Sequence, residues 1–283
     1  MILALALATL LEIQPSQTGP GIQQVKGPHL ALWNEEQVSS ENDLLLITIG
    51  GTNSQPRELL AFKQEAVRFG YHAIGVDYPN TVISTTCRTM PSPTCFDEYR
   101  EEVVFGTPVS DIVQVNPTNS IENRILKLMR YLQIQNPAQW SQFFLGGHLN
   151  WEKVVLAGHS QGSGHIAYLA KKHRVHGVIM FAGPQDGNAS WLSQPGLTPV
   201  DRLYFFFHLK DFFGSEFQVD SAKVLLNDPH AEVSAIDNSI AASSKAHIFM
   251  TNAPSDDPHN SLTKSGFVQV WQFLLRRLSF ESP

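Results

Sequence analysis

Residues 158–162 read Gly-His-Ser-Gln-Gly, a G-x-S-x-G motif whose spacing can make a serine reactive. An apolar run at 154–157 precedes the motif, and a segment with helical periodicity and many small side chains follows it. A strand, a sharp turn and a helix are therefore predicted. Such a turn strains the backbone at Ser160 and lifts its hydroxyl above the sheet. Glycines are needed on both sides because larger side chains would collide with the neighbouring strand and helix.

The residue after the serine adds a second chemical group. Gln161 begins the predicted helix, so its backbone N–H points to the place where an oxyanion would form on an attacked carbonyl. A serine hydroxyl is a poor nucleophile at neutral pH and needs a general base that a carboxylate holds in position. The rest of the chain must therefore supply an imidazole and a carboxylate.

In this context the motif resembles the nucleophile elbow of the α/β-hydrolase superfamily, which includes serine esterases and lipases. The resemblance extends over residues 44–278. It implies a doubly wound, mostly parallel sheet with helices on both faces, and it implies chemistry without a metal ion or organic cofactor. A serine at the elbow argues against dehalogenases and epoxide hydrolases, which resemble this fold but have an aspartate there.

The resemblance also implies that the nucleophile, the acid and the base follow one another in that order along the chain. Asp211 lies just after the apolar run 203–208, where this family usually has its acid. Asp186, after the preceding predicted strand, is the alternative. Either aspartate could instead serve only as a turn residue.

Position favours His259 as the base. It lies in a polar loop between the last predicted strand and the last predicted helix. His247 is the main rival, but it falls inside an apolar run, and His208 and His230 are weaker candidates. A single loop histidine is normally just solvated, so the assignment depends on the elbow and on the order of the residues.

Members of the family supply a second oxyanion N–H after their first interior strand, which is predicted here at residues 44–49. This chain has Gly50-Gly51 at that point, where the family usually has His-Gly. We expect Thr52 to be the donor, with Gly51 as the alternative. A simple turn that uses glycine for its backbone freedom is the competing interpretation.

The elements that must position these residues alternate between strands and helices, as expected for a parallel sheet covered on both faces. The predicted strands are residues 29–33 (at an edge), 44–49, 72–76, 154–157, 177–181, 203–208 and 246–250. The predicted helices are residues 57–69, 97–104, 119–133, the segment after the elbow, 219–226 and 266–278.

Length and composition predict one large domain. The chain has 283 residues, 42% of them hydrophobic, and no shift in composition marks a linker. We predict a lead-in at 1–28 and a single domain at 29–283. Residues 80–118 lack a sustained period and should form an irregular cap or binding loop that shapes access to the site. The charges of Arg100, Glu101 and Glu102 are expected on a solvated face.

The two cysteines, Cys87 and Cys95, lie eight residues apart. They could form a disulfide in an oxidising compartment or remain free thiols, and no neighbouring ligands complete a zinc site. Residues 2–11 resemble a signal-peptide core without its basic flank, and a buried or frayed segment is the alternative. With a glycosylation sequon at Asn188, these features favour secretion, or another oxidising compartment, over the cytoplasm.

A formal net charge of −6 and the lack of a Lys/Arg cluster give no indication of nucleic-acid binding. The expected partner is a small-molecule ester, without stable membrane insertion, and the oligomeric state stays open. His159 and His165 are interpreted as packing residues rather than metal ligands.

The first functional hypothesis is a cofactor-free serine esterase. A thioesterase or acyltransferase with the same triad is the second, and a non-catalytic binding protein on this fold is the third. The third is disfavoured because all three triad residue types are present in order.

Overall fold

Short apolar runs form the sheet at the centre of this computed structural model, which describes residues 8–36, 44–187, 189–236 and 245–280. The strands in chain order are β1 Thr9–Ile13, β2 His29–Trp33, β3 Leu45–Ile49, β4 His72–Gly75, β5 Val154–His159, β6 Gly177–Phe181, β7 Leu203–His208, β8 Val233–Ala235 and β9 Ile248–Thr251. They lie in the order β1-β2-β4-β3-β5-β6-β7-β9-β8. β2 pairs antiparallel with β1 and β4, and all other neighbours are parallel.

Helices connect most of these strands. The longer α-helices are α1 Leu60–Arg68, α2 Cys95–Phe105, α3 Ile121–Gln135, α4 Gln161–Lys172, α5 Ser215–Leu225 and α6 Val268–Phe280. Single α-helical turns lie at Pro15–Thr18, Pro137–Trp140, Ser190–Ser193 and Pro258–Ser261. Short 3₁₀ segments lie at Pro56–Leu59, Ser84–Thr89, Pro117–Asn119, Ser141–Phe143, Trp151–Lys153, Val200–Arg202 and Ser265–Phe267, and a separate hairpin pairs Phe144–Leu145 with His148–Leu149. Within the described ranges, no helix has both the length and the apolar character needed to span a membrane.

Both faces of the sheet are buried, which explains why its central strands are predominantly apolar. Along β5, Val154 and Leu156 belong to one hydrophobic core, while Val155 and Ala157 belong to the other. α2, α3, α4 and α5 contribute to the first core, and α1 and α6 contribute to the second. The doubly wound, mostly parallel sheet predicted from the sequence is confirmed.

The N-terminal part of the sheet differs from the prediction. β2 has the predicted bounds but is not an edge strand, because β1 pairs with it along its whole length. β1 itself lies within the segment interpreted as a lead-in. Its apolar residues are too few to distinguish a strand from a signal-like core by pattern alone. Residues 1–7 of that segment and Asn188 of the sequon lie outside the described residues.

The segment 80–118 contains α2 and the 3₁₀ turn Ser84–Thr89, and a disulfide between Cys87 and Cys95 joins the two. Of the two alternatives for the cysteines, the structure therefore contains the disulfide. The bond closes a short loop and limits how far the start of α2 can move from the turn before it.

The expectation of a solvated charged face in this segment is wrong. Arg100 and Glu102 are buried, and Glu101 is half-buried. The Glu102 carboxylate accepts hydrogen bonds from backbone N–H groups of the loop that follows α2, at Val109, Ser110 and Val115. Glu101 accepts from Thr107 and Tyr168. These partners are distant in sequence or lie in irregular backbone, so the local charge pattern could not reveal them.

Lys63 of α1 is a buried cation without a nearby carboxylate among the described residues. Its Nζ donates to the carbonyl of Pro56 at 2.8 Å and to the hydroxyl of Thr48 at 3.3 Å. Burial lowers the pKa of Lys63 to about 7, because the charged form loses its hydration. The folded protein therefore favours the neutral amine above that pH.

We expect the free energy of unfolding to rise with pH because of the lowered pKa of Lys63. Between about pH 7 and pH 10.5 the unfolded chain holds a proton on Lys63 that the folded chain has lost. The free energy of unfolding should consequently increase by about 2 kcal/mol from roughly pH 7.5 to 9.5. Lys63→Met should remove this increase, and the exposed control Lys127→Met should keep it. Urea unfolding at both pH values measures the effect, and equal pH dependence in Lys63→Met and the wild type would contradict it.

Candidate active site

Three strands end beside the candidate residues. Ser160 directly follows β5, Asp211 comes soon after β7, and His259 lies in the single helical turn after β9. β7 and β9 are direct neighbours in the sheet. Because the carboxyl ends of parallel strands meet at one edge, residues far apart in sequence gather there.

The turn at Ser160 has the strained geometry that the motif predicts. Ser160 has φ 56° and ψ −125°, a conformation that non-glycine residues rarely adopt. A Cβ atom on Gly158 would lie 2.6 Å from the backbone of Gly162, and one on Gly162 would lie 2.4 Å from the Ile49 carbonyl oxygen. Both glycines are therefore required by close backbone contacts, as the sequence indicated.

The structure brings Asp211 and His259 together. His259 Nδ1 donates to Asp211 Oδ2 at 2.7 Å, and both side chains are buried. The carboxylate also accepts from Gln218 Nε2 and from the backbone N–H of Phe213, each at 2.9 Å. Burial alone would raise the pKa of Asp211, but the hydrogen bond and charge of His259, helped by these two donors, hold that pKa below its usual value. The carboxylate is thus ionised at neutral pH and fixes the imidazole.

The surroundings of His259 restrict the ring further. The rings of Phe213 and Phe212 lie 4.7 and 5.2 Å from it, measured between ring centroids. Because Nδ1 is hydrogen-bonded to Asp211, Nε2 is the ring nitrogen that can exchange a proton. The histidine is held on one side by a carboxylate and on others by aromatic rings.

His159 links the elbow to the histidine loop. Its Nε2–H donates to the backbone carbonyl of His259 at 3.0 Å, and the two rings lie 4.9 Å apart. Burial, reinforced by the nearby charge of His259, lowers the pKa of His159 to about 4, so this ring is neutral at pH 7. Within the described part of the chain, the Ser160 hydroxyl makes no hydrogen bond to His259, and the two residues are connected through His159.

The two expected oxyanion donors also lie side by side, Thr52 in the loop after β3 and Gln161 at the start of α4. Thr52 Oγ1 donates to Gln161 Oε1 at 2.9 Å. In the part of the chain that the structure describes, the backbone N–H groups of Thr52, Gln161 and Gly51 have no hydrogen-bond partner. A Cβ on Gly51 would lie 3.1 Å from the Cβ of Ser160, so this loop passes close to the serine.

Asp186, the alternative acid, interacts with residues other than His259. It forms a fully buried ion pair with Arg100, with contacts of 2.6 and 2.8 Å, and it accepts from Trp191 Nε1. Arg100 Nη1 also donates to the backbone carbonyl of Gln161 at 2.9 Å. Asp186 therefore supports the start of α4 through Arg100 and does not contact His259.

The other histidines take structural positions. His247 and His208 each donate from the ring to a backbone carbonyl, and His230 is exposed. His165 is buried between the rings of Tyr78 and Tyr99. Across the described ranges, no three His, Cys, Asp or Glu side chains are grouped so that they could hold a metal ion.

Three residues support the site in ways that the sequence pattern does not predict. Arg100 is expected on a solvated face, and neither the role of Gln218 nor the contact of His159 with the His259 carbonyl is predicted. His159 carries a weak signal, since it adjoins Ser160 in the motif. Arg100 and Gln218 carry none, because nothing in the sequence pattern around them distinguishes them from other polar residues of a helix.

No family model matches the chain, and no curated protein matches it in sequence. Among solved structures, TT1662 from Thermus thermophilus has a TM-score of 0.50 at 14% identity, covering 98% of this chain and 100% of that one. A protein described as "Putative Dienelactone Hydrolase from Klebsiella pneumoniae subsp. pneumoniae MGH 78578" has a TM-score of 0.51 at 12% identity, covering 97% of this chain and 100% of that one.

At these identities the likeness concerns the fold. It agrees with the parallel order of the central strands and with the helices on both faces. The chain has the α/β-hydrolase fold.

Proposed function

We propose that this protein is a serine hydrolase that cleaves carboxylic esters through an acyl-enzyme. Ser160 is the nucleophile, His259 the general base and Asp211 the acid that orients it. The observation that carries the proposal is the 2.7 Å hydrogen bond between His259 and an otherwise satisfied, buried Asp211, next to a serine held in an elbow conformation.

In the first step, Ser160 Oγ attacks the ester carbonyl carbon while His259 Nε2 takes the hydroxyl proton. Asp211 stabilises the resulting imidazolium and keeps the ring in the tautomer that leaves Nε2 free beforehand. The carbonyl oxygen gains negative charge and accepts hydrogen bonds from the N–H groups of Thr52 and Gln161. Each such donor is typically worth about 10²–10³ in rate.

In the second step, the tetrahedral intermediate expels the alcohol, which receives the proton from His259. Water then attacks the acyl-enzyme with His259 again as base, and the carboxylic acid leaves. The protein's own side chains and backbone supply every group in these steps, so no metal ion or organic cofactor is required.

The similar Klebsiella structure is named as a hydrolase, which agrees with a hydrolytic role on this fold. Thioesters could form the same acyl-enzyme, and an alcohol could replace water as acceptor. We expect oxygen esters with short acyl groups to react best, because the described residues between β6 and β7 form only the helical turn Ser190–Ser193 and the 3₁₀ segment Val200–Arg202, and no larger lid. Turnover of matched ester and thioester series tests this preference.

The direct test of the nucleophile is labelling with a fluorophosphonate, which reacts covalently with activated serines. Wild-type protein should be labelled and should hydrolyse a 4-nitrophenyl ester. Ser160→Ala should lose the label and at least about 10⁴-fold in kcat/KM, since no other hydroxyl among the described residues sits in such an elbow. Ser193→Ala, at an exposed serine, is the control and should keep both. Equal labelling of Ser160→Ala and the wild type would exclude Ser160.

If Asp211 is the catalytic acid, substitution of Asp211 should mainly lower kcat, whereas substitution of Asp186 should mainly lower the free energy of unfolding. Asp211→Asn should lower kcat by about 10²–10⁴-fold while the protein stays folded, because the amide no longer holds the correct tautomer of His259. Asp186→Asn leaves Arg100 unpaired in the core and should lower the free energy of unfolding by about 3–5 kcal/mol.

The kcat of the folded Asp186→Asn protein should fall by less than about 10-fold. Steady-state kinetics and urea unfolding on both variants separate the two roles. If Asp186→Asn lost the larger share of kcat and Asp211→Asn retained activity, the acid would be Asp186.

A further inference from the structure

The loop after β3 contains contacts that the mechanism above does not use. Three hydrogen bonds converge on the carbonyl oxygen of Gly51. Asn80 Nδ2 donates to it at 3.0 Å, Ser54 Oγ at 2.8 Å and the Ser54 backbone N–H at 3.3 Å. We call this arrangement of Asn80 and Ser54 around the Gly51 carbonyl the carbonyl clamp.

Asn80 binds the loop at more than one point. Its Nδ2 also donates to the Ser54 carbonyl at 2.9 Å, and its backbone carbonyl accepts from the Asn53 N–H at 3.0 Å. The side chain is 2% exposed, so water does not compete for these bonds. Asn80 therefore fixes the loop from Gly51 to Ser54 as a unit.

Gly50 and Gly51 are each required in this loop, for different steric reasons. A Cβ on Gly50 would lie 2.1 Å from Ser54 Oγ and would displace the hydroxyl from the clamp. A Cβ on Gly51 would lie 3.1 Å from the Cβ of Ser160 and would push the loop away from the nucleophile. The Gly50-Gly51 pair is what the clamp and the approach to Ser160 require.

The clamp determines the direction of the next N–H group. In a planar trans peptide the C=O and the N–H point in opposite directions, so holding the Gly51 carbonyl orients the N–H of Thr52. The Thr52 side chain is held independently by Gln161 Oε1, which also accepts from the Ser84 N–H at 3.0 Å. The Thr52 N–H is thus fixed in direction yet has no partner among the described residues.

We propose that Asn80 and Ser54 are positioning residues for acyl transfer, which aim the Thr52 N–H at the oxyanion through the carbonyl clamp. The inference rests on the proposed function, because it needs an oxyanion to form at Ser160. Both side chains are buried, so we expect them to act through the Thr52 N–H and not through contact with the substrate. Their effect should appear where negative charge develops, in the transition state, and not in ground-state binding.

The test uses Asn80→Leu, which preserves the branched shape but cannot donate, and Ser54→Ala, which is a smaller change if Asn80→Leu fails to fold. For Asn80→Leu we expect kcat toward a 4-nitrophenyl ester to fall about 10–100-fold with KM within about threefold of the wild type. The affinity for phenylboronic acid, which forms a tetrahedral anionic adduct with a reactive serine, should fall by a similar factor. Ser54→Ala should show a smaller change with the same pattern.

Tyr71→Phe is the matched control. The Tyr71 hydroxyl donates to the Leu275 carbonyl at 3.0 Å and is equally buried, but Tyr71 lies just before β4, at the end of the sheet opposite to the candidate site. This variant should lose thermal stability and keep kcat and boronate affinity within about threefold of the wild type.

The outcomes distinguish the inference from the function on which it rests. Unchanged kcat and boronate affinity in Asn80→Leu and Ser54→Ala, with an active wild type, would overturn the positioning role and leave the hydrolase intact. Equal losses in the Tyr71→Phe control would also overturn it, because they would indicate a general effect of lost stability. A wild type inert to both ester and fluorophosphonate would overturn the proposed function, and the inference with it.

Discussion

The hydrogen bond between His259 and Asp211 is the contact around which the candidate site is arranged. It joins two loops that follow neighbouring strands, and both partners are shielded from water. A buried carboxylate is tolerated only when its oxygens are satisfied, and Gln218 and the Phe213 N–H complete that set. These donors offset the cost of burying the charge, and they hold the carboxylate that in turn orients the imidazole of His259.

The fold supplies this contact by bringing loop ends together at one edge of a parallel sheet. The elbow between β5 and α4 is confined by close backbone approaches at Gly158 and Gly162. Arg100 donates to the Gln161 carbonyl and forms an ion pair with Asp186. His159 then connects the elbow to the loop of His259. The loop with Gly51 and Thr52 is held by residues that follow β4. The loops at this edge are therefore fixed by contacts with other parts of the chain as well as by their own sequence.

This dependence explains what the sequence could and could not predict. Apolar runs and glycine spacing are local, so β2, β6 and β7 have their predicted bounds and the elbow has its predicted form. β1 was missed because a five-residue edge strand resembles any short apolar segment. The buried roles of Arg100 and Glu102 were missed because a charged side chain in a helix is normally solvated, and their partners lie elsewhere in the chain. Asp211 could be preferred over Asp186 by position, whereas the ion pair that occupies Asp186 is visible only in three dimensions.

In the proposed mechanism, Ser160 carries the acyl group between two half-reactions. Rapid acid quench of the protein mixed with a slowly hydrolysed 4-nitrophenyl ester, followed by intact-mass and peptide mass spectrometry, detects that intermediate. We expect a transient mass increase equal to one acyl group, located on the peptide that contains Ser160, which decays as free acid appears. Hydrolysis at full rate without any acylated protein, or an acyl group found on another residue, would contradict it.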